Sequence, residues 1–142
     1  MHFSQTFAAA AILALGPMTV LAGFPVAIVQ FQTWETCDVG APALGEPTSQ
    51  MQVSTTPLTC ANTPVNRDWN VDNYSFSADL IGHYSGWCSG VIVWNNEDCS
   101  GEPVYEVLFE DGPFAEPVCL PDFLEPGFVS FKLDCEGFHG EE

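Results

Sequence analysis

The chain of 142 residues carries 19 acidic side chains against two basic ones, which gives a formal net charge of −17 at pH 7. Because Arg67 and Lys132 are its only arginine and lysine, it can form no basic patch, which excludes binding to nucleic acid through the phosphate backbone. An anionic membrane surface would repel the chain for the same reason, and acidity of this kind usually favours solubility.

The N-terminus has the features of a secretory signal peptide. Residues 7–15, FAAAAILAL, form an apolar run that has the length of a signal-peptide core and is too short to span a bilayer. Val20 and Ala22 supply small side chains where a signal peptidase requires them, so cleavage is predicted after Ala22 or one residue later. Residues 1–22 are therefore predicted to be a signal peptide, with a buried N-terminal helix as the alternative. No later run is long enough to span a membrane.

The mature chain has the periodicity of β-strands. Apolar and polar side chains alternate over residues 50–55, 73–80, 105–110 and 128–135. The run VIVW at residues 91–94 is continuously apolar, which is typical of a strand buried on both faces. The 11 prolines and 12 glycines interrupt these runs, and no helical stripe of useful length occurs.

The predicted fold class is therefore all-β. We expect a disulfide-stapled antiparallel β-sandwich or Greek-key barrel of about six to nine strands. Residues 23–136 are predicted to form this single domain. A flexible acidic tail is predicted to follow at residues 137–142, where nothing apolar anchors the chain.

Two parts of the mature chain, residues 24–87 and 88–135, share an order of features that indicates an internal repeat. Each part has an apolar strand that ends in tryptophan, then a cysteine, the tripeptide Gly-Glu-Pro and a second strand. A proline shortly before a second cysteine follows, and then a last strand. The matched residues are Trp34 with Trp94, Cys37 with Cys99, residues 45–47 with 101–103, and Cys60 with Cys119. The sandwich is therefore predicted to consist of two repeated halves.

The six cysteines all lie in the predicted mature chain, and an even number in a small exported domain predicts three disulfides. Neither the Cys-x-x-Cys spacing of a redox site nor the paired spacing of a zinc site occurs. The repeat favours one pairing, although other connectivities stay open. The favoured pairs are Cys37–Cys60, Cys99–Cys119 and, for the two cysteines without counterparts, Cys88–Cys135.

The combination of a signal peptide, six cysteines and the order strand, Cys-x-Gly-x-Pro, strand, Pro-x-Cys, strand resembles the small secreted cysteine-rich proteins of filamentous fungi. The likeness is carried mainly by residues 95–107 and 118–133. Many such proteins are effector candidates, so the resemblance implies an extracellular role in virulence. The repeated arrangement also loosely resembles the two-motif Greek-key architecture of βγ-crystallin-like proteins, some of which are secreted microbial toxins.

The crystallin-like resemblance implies a calcium-binding motif that can be sought in this sequence. In that family the motif has two Asn or Asp residues, two variable residues and then Ser/Thr-Ser. Residues 72–77, DNYSFS, have Phe76 in place of a hydroxyl residue. Residues 125–130, EPGFVS, have Pro126 and Val129 where ligands belong, and NNEDCS at residues 95–100 follows the wrong strand. We predict no cofactor and, at most, weak calcium binding by the abundant carboxylates.

Catalytic patterns are weak, and we predict that the protein is not an enzyme. The histidines of the mature chain are His83, beside Ser85 in GHYSGW, and His139 in the tail, and no G-x-S-x-G motif is present. A carboxylate pair for glycoside hydrolysis carries no signal among 19 acids. The acids that crowd one loop region are interpreted as solvated turn residues: Asp111, Glu116, Asp122 and Glu125.

Asn73-Tyr74-Ser75 is the one N-glycosylation sequon. By strand alternation, Asn73 is predicted to point away from the apolar face, which suits a glycan, with an unused sequon as the alternative.

Four residues are predicted to contact a partner. Trp34 and Trp94 end strands and are interpreted as core residues, whereas Trp69 and Trp87 lie in polar, loop-like segments together with Arg67 and Tyr84. Exposed aromatic side chains on loops serve as interaction anchors or as platforms for stacking sugars. Local packing over a disulfide is the alternative for both loop tryptophans.

The sequence thus predicts a secreted, monomeric, non-enzymatic protein that acts by binding an unknown extracellular protein or glycan. The leading hypothesis is an effector-like protein with a host or cell-surface partner. A carbohydrate-binding or cell-wall module is the alternative. A killer-toxin-like antimicrobial protein is the third hypothesis, although its usual cationic surface is absent.

Overall fold

The computed structural model describes residues 25–65, 70–81, 88–110 and 112–136, which form eight β-strands. In chain order these are β1 Val26–Trp34, β2 Ser49–Thr55, β3 Ala61–Pro64, β4 Asn73–Ile81, β5 Cys88–Trp94, β6 Tyr105–Leu108, β7 Phe114–Ala115 and β8 Phe128–Cys135. All pairs are antiparallel and form two sheets, β2-β1-β4-β7 (sheet 1) and β3-β8-β5-β6 (sheet 2). The predicted all-β sandwich is confirmed. Over these ranges no helix is long and apolar enough to cross a membrane.

The core lies between the sheets and is built around aromatic rings from their central strands. Phe31 and Phe76 are register partners on β1 and β4, and their rings stack with centroids 5.1 Å apart. Phe131 of β8 meets Phe76 edge-on, with 5.7 Å between centroids, which joins the two sheets. All three side chains are almost fully buried. Truncation of such a ring to alanine typically costs about 3–5 kcal/mol of stability.

Each sheet contains one short strand that comes from the other part of the chain. β3 leaves β1, β2 and β4 and pairs with β8 at the edge of sheet 2, whereas β7 pairs with β4 at the edge of sheet 1. When β1–β4 are matched in order with β5–β8, both sheets have the same strand order. This order alone does not confirm two repeated halves, and the repeat stays a prediction.

The exchange of β3 and β7 decides which cysteines pair. The structure has three disulfides, Cys37–Cys119, Cys60–Cys99 and Cys88–Cys135. The predicted pair Cys88–Cys135 is present, but the predicted pairs Cys37–Cys60 and Cys99–Cys119 are wrong. Both of these pairs rested on the assumption that each repeated half forms a disulfide within itself. Cys60 instead stands directly before β3 and is carried with it to sheet 2, where it meets Cys99. Three disulfides are typical of proteins from oxidising, extracellular compartments.

The outer face of sheet 1 is covered at one end by the loop that follows β1. Trp34, Ala43 and Cys119 form a second buried cluster there, with Cys37 packed against it. The amide of Ala43 donates to the carbonyl of Pro117 at 3.0 Å, so the loop is held to the segment after β7 by a hydrogen bond as well as by the disulfide. Trp34 is buried as predicted, but in this outer cluster rather than between the sheets.

The same cover overturns the predicted exposure of Asn73. Alternation does place Asn73 and Ser75 on the face of β4 opposite to the core side chains Tyr74 and Phe76. However, Asn73 is only 7% exposed and Ser75 is fully buried. The indole nitrogen of Trp34 donates to Ser75 Oγ at 2.9 Å, which seals this end of the strand from solvent. Both faces of the first part of β4 are therefore buried.

Candidate functional site

Several sequence predictions concern residues outside those that the structure describes. The four predicted contact residues belong to this group: Arg67, Trp69, Tyr84 and Trp87. So do the signal peptide at residues 1–22, the tail at 137–142, His83, His139 and Asp111. The described residues instead present two grooves that sequence reasoning missed, one at the open side of the sandwich and one on the outer face of sheet 1.

The first groove, which we call the acidic groove, lies between the edge strands β6 and β7 and has a volume of about 510 Å³. Its floor includes the partly exposed ring of Tyr105, which stacks on the almost fully buried ring of Phe76 with 5.7 Å between centroids. Leu108 and Phe114 are about half exposed beside it. The acidic side chains that line it are Glu106, Glu110 and Glu116, all exposed.

The acidic groove exists because the two sheets are closed on one side only. On the β2 side, Thr55 Oγ1 donates to the carbonyl of Phe131 at 3.0 Å, which ties sheet 1 directly to sheet 2. On the opposite side, β6 has four residues and β7 has two. These short edges leave the ring of Tyr105 partly exposed.

Tyr105 lines this groove, and the pKa of its hydroxyl is shifted. Burial raises the pKa of its hydroxyl above the ordinary value, and the negative charge of Glu110 raises it further. The phenol is therefore neutral at physiological pH and retains an O–H donor. The partly exposed ring of Tyr105 with carboxylates around it suits a lysine or arginine side chain, since the apolar stem can pack on the ring while the cationic end meets the acids.

The second groove crosses the outer face of sheet 1 and has a volume of about 470 Å³. We call it the glutamine face and define it by Gln30, Gln32, Gln52, Ser77 and Asp79, which line its floor together with the apolar residues Ile28 and Ala78. The end of β1 and the loop that follows it form the wall at one end of this groove. Residues in and directly after β7 form the other wall. The wall residues are Trp34, Ala43 and Gly45 at that end, and Phe114 and Pro117 around β7.

Asn73 is engaged in structural hydrogen bonds rather than offered to a glycan. Its Oδ1 accepts the amide hydrogen of Cys37 at 3.1 Å, and its Nδ2 donates to the carbonyl of Leu120 at 3.0 Å. A glycan would have to be attached at this Nδ2. The folded arrangement thus contradicts the expectation that Asn73 faces solvent.

In NNEDCS, one of the segments considered for calcium, the asparagine side chains form hydrogen bonds within the fold. Asn95 Nδ2 donates to the carbonyls of Glu125 and Phe128, and the hydroxyl of Ser130 donates to Asn96 Oδ1 at 3.3 Å. NNEDCS therefore ties the turn after β5 to the start of β8. In the part of the chain that the structure describes, no group of three His, Cys, Asp or Glu side chains could hold a metal ion.

No protein-family model, curated protein or solved structure matches this chain. The resemblances to fungal secreted proteins and to crystallin-like proteins therefore stay predictions. The chemistry of the two grooves has to support any functional proposal.

Little in the sequence pointed to either groove. Glu106 and Leu108 belong to one face of an alternating strand, and Leu108 was a large apolar residue on the face opposite to Tyr105 and Val107. An apolar residue in that place is a weak sign of a contact surface. Phe114 follows a loop and has no periodicity of its own, because β7 has only two residues.

Proposed function

We propose that this is a secreted, non-enzymatic, effector-like protein that binds a basic segment of an extracellular host or cell-surface protein. The observation that carries the proposal is the acidic groove, in which the partly exposed ring of Tyr105 lies beside three exposed carboxylates. The three disulfides support an extracellular site of action, since such bridges persist in oxidising compartments.

The charge of the whole chain supports a cationic partner. A net charge of −17 attracts positively charged proteins over long distances and raises the rate of encounter. Such attraction alone is unspecific. The acidic groove adds a place where one side chain of the partner can be held, because Tyr105 offers a partly exposed ring near Glu110.

The test is binding of the purified mature protein to arrayed peptides that contain lysine or arginine between apolar residues, with the same peptides carrying glutamine as the reference. We expect the triple variant Glu106→Gln, Glu110→Gln, Glu116→Gln to lose about tenfold in affinity for the basic peptides. Each exposed charge pair contributes ~0.2–1 kcal/mol, and about 1.4 kcal/mol corresponds to a factor of ten.

A matched control removes three exposed charges elsewhere: Glu35→Gln, Glu46→Gln, Glu97→Gln. Because both triple variants have the same net charge, unspecific attraction weakens equally in the two. Equal affinities of the two variants, or a wild-type protein that prefers no basic peptide, would overturn the proposal for the acidic groove.

A further inference from the structure

We infer that the glutamine face is a second binding site, and that its ligand is a neutral oligosaccharide. The inference goes beyond the proposed function, because it concerns another surface and another chemical class of ligand. It also differs from the carbohydrate hypothesis drawn from the sequence, which relied on Trp69 and Trp87.

The first observation is that the register of sheet 1 aligns amide and hydroxyl side chains in rows across three strands. Gln52 of β2 is opposite Gln30 of β1, which is opposite Ser77 of β4. In the next row, Gln50 is opposite Gln32, which is opposite Ser75. Side chains on adjacent strands of one face lie about 5 Å apart, so each row is a polar strip; its accessible part is the glutamines, because Ser75 and Ser77 are buried.

The second observation is that hydrogen bonds order these amides without consuming their capacity. Gln32 Nε2 donates to Gln50 Oε1 at 2.8 Å, and Gln32 Oε1 accepts from Ser75 Oγ at 3.1 Å. Gln30 Nε2 donates to Gln52 Oε1 at 3.4 Å. A carboxamide has two N–H donors and two acceptor lone pairs, so each glutamine retains at least one donor and one acceptor. Sugar hydroxyls, which donate and accept at once, match such a set.

The third observation is the apolar wall beside the polar floor. Phe114 is 51% exposed and is the register partner of Asp79, so its ring stands at the β7 edge of the glutamine face. An exposed ring can stack on the C–H face of a sugar while amides bind the hydroxyls at its rim. A volume of about 470 Å³ lies within the usual range for ligand sites.

The charge of the groove lining favours a neutral ligand over a charged one. Among the described residues that line the groove, Asp79 is the one ionisable side chain, although the chain has 19 acids. None of these described lining residues is a lysine, arginine or histidine that would bind a carboxylate or sulfate of an acidic glycan. A neutral sugar pays no electrostatic cost there, and the Asp79 carboxylate can accept hydrogen bonds from two of its hydroxyls.

The test uses three neutral hexasaccharides as probes, namely cellohexaose, laminarihexaose and chitohexaose, with a hexagalacturonate as the anionic comparison. Binding is followed by saturation-transfer NMR and calorimetry on the full mature protein. We expect at least one neutral probe to bind and the double variant Gln30→Ala, Gln52→Ala to weaken that binding at least tenfold. Gln52→Ala alone, on the edge strand, should show an intermediate loss and serves if the double variant folds poorly.

The control is the triple glutamine variant of the acidic groove, which should bind the sugar as the wild type does. Phe114 lines both grooves, so it is not used to separate them. Peptide binding, measured on the same samples, should survive the Gln30 and Gln52 changes. The inference is overturned if no neutral probe binds at millimolar concentration, if the anionic probe binds better, or if the glutamine variants bind the sugar as the wild type does.

Discussion

At the residue scale, Asn73 is a single carboxamide that serves two backbone groups from different segments. It accepts from the amide of Cys37, which is part of the outer cluster, and donates to the carbonyl of Leu120, which follows the exchanged strand β7. Asn73 therefore holds the loop after β1 and the segment after β7 to the start of β4. Buried groups of this kind are costly to leave without a partner.

We predict that Asn73→Ala lowers the free energy of unfolding by about 1–3 kcal/mol, because the partly buried Cys37 N–H loses its acceptor and the Leu120 carbonyl retains only the amide of Tyr74 as a donor. Urea unfolding with intact disulfides measures the effect. Asn62→Ala is the matched control, since the Asn62 amide donates to the carbonyl of Glu97 at an exposed position and its loss should cost less. An equal cost at both positions would contradict the role assigned to Asn73.

We also predict that the sequon at Asn73 is unoccupied in the folded protein, because the buried Asn73 side chain donates its Nδ2 hydrogen to the carbonyl of Leu120. The protein is expressed in a eukaryotic secretory host, and its intact mass is measured before and after treatment with an N-glycosidase. The two masses should agree. A decrease by the mass of one glycan would show that Asn73 is modified before β4 is covered.

Tyr105 makes stability depend on pH in the alkaline range. Its pKa in the folded protein is raised, first by burial and then by Glu110, above the value of about 10 in an unfolded chain. The stabilisation from the neutral phenol is thus complete below pH 10 and is lost as the pH rises through the folded-state pKa. We predict that Tyr105→Phe unfolds with a weaker pH dependence above pH 10. Parallel pH profiles for wild type and variant in urea unfolding would refute this.

At the element scale, the short strands β3 and β7 determine how the sheets are connected. Each is an edge strand, with four and two residues respectively, and neither could hold its place by backbone pairing alone. Disulfides stand next to both of them, at Cys60 before β3 and at Cys119 after β7. The bridges therefore fasten the weakest elements of the sandwich to the other part of the chain.

We predict that peptide mapping without reduction, after cleavage at glutamates and at Arg67, recovers Cys37 linked to Cys119 and Cys60 linked to Cys99. The bridges span 82 and 39 residues. Replacing either pair by serine should cost about 4 kcal/mol by the loop-entropy relation, measured as the loss of unfolding free energy. A recovered Cys37–Cys60 peptide would contradict the exchanged strand order itself.

At the scale of the whole molecule, the excess of acidic residues works against compactness. A net charge of −17 creates self-repulsion, and many of the carboxylates are exposed. Much of this repulsion acts between groups that are not in contact, so it responds to ionic strength rather than to any single substitution.

We predict that the midpoint of thermal unfolding rises when NaCl is increased from 10 mM to 150 mM. The screening length falls from about 30 Å to about 8 Å over this range, which removes most repulsion between distant carboxylates. Calorimetry at pH 7 measures the midpoint, and an uncharged osmolyte at matched osmolality is the control. A midpoint that stays constant or falls with salt would show that self-repulsion does not limit stability.

The candidate sites show where prediction from sequence stops at this scale. Gln50 and Gln52 alternate with core residues, so their outward direction is readable from one strand. Nothing in that strand shows that they face Gln30 and Gln32, because the register with β1 is a property of the sheet. The acidic groove is harder to predict from the sequence, because Glu106 lies on β6 of sheet 2 whereas Glu116 directly follows β7 of sheet 1.

The sequence by itself determined the all-β class, the alternation that places Phe76 and Phe131 inward, and the number of disulfides. Alternation is local, because the two faces of a strand differ within a few residues. Only the tertiary structure decided the connections, the partners of Cys37 and Cys60, and the burial of Asn73. These depend on where β3 and β7 lie and on a loop that folds over the sheet. Such contacts join residues far apart in the chain, and no local pattern specifies them.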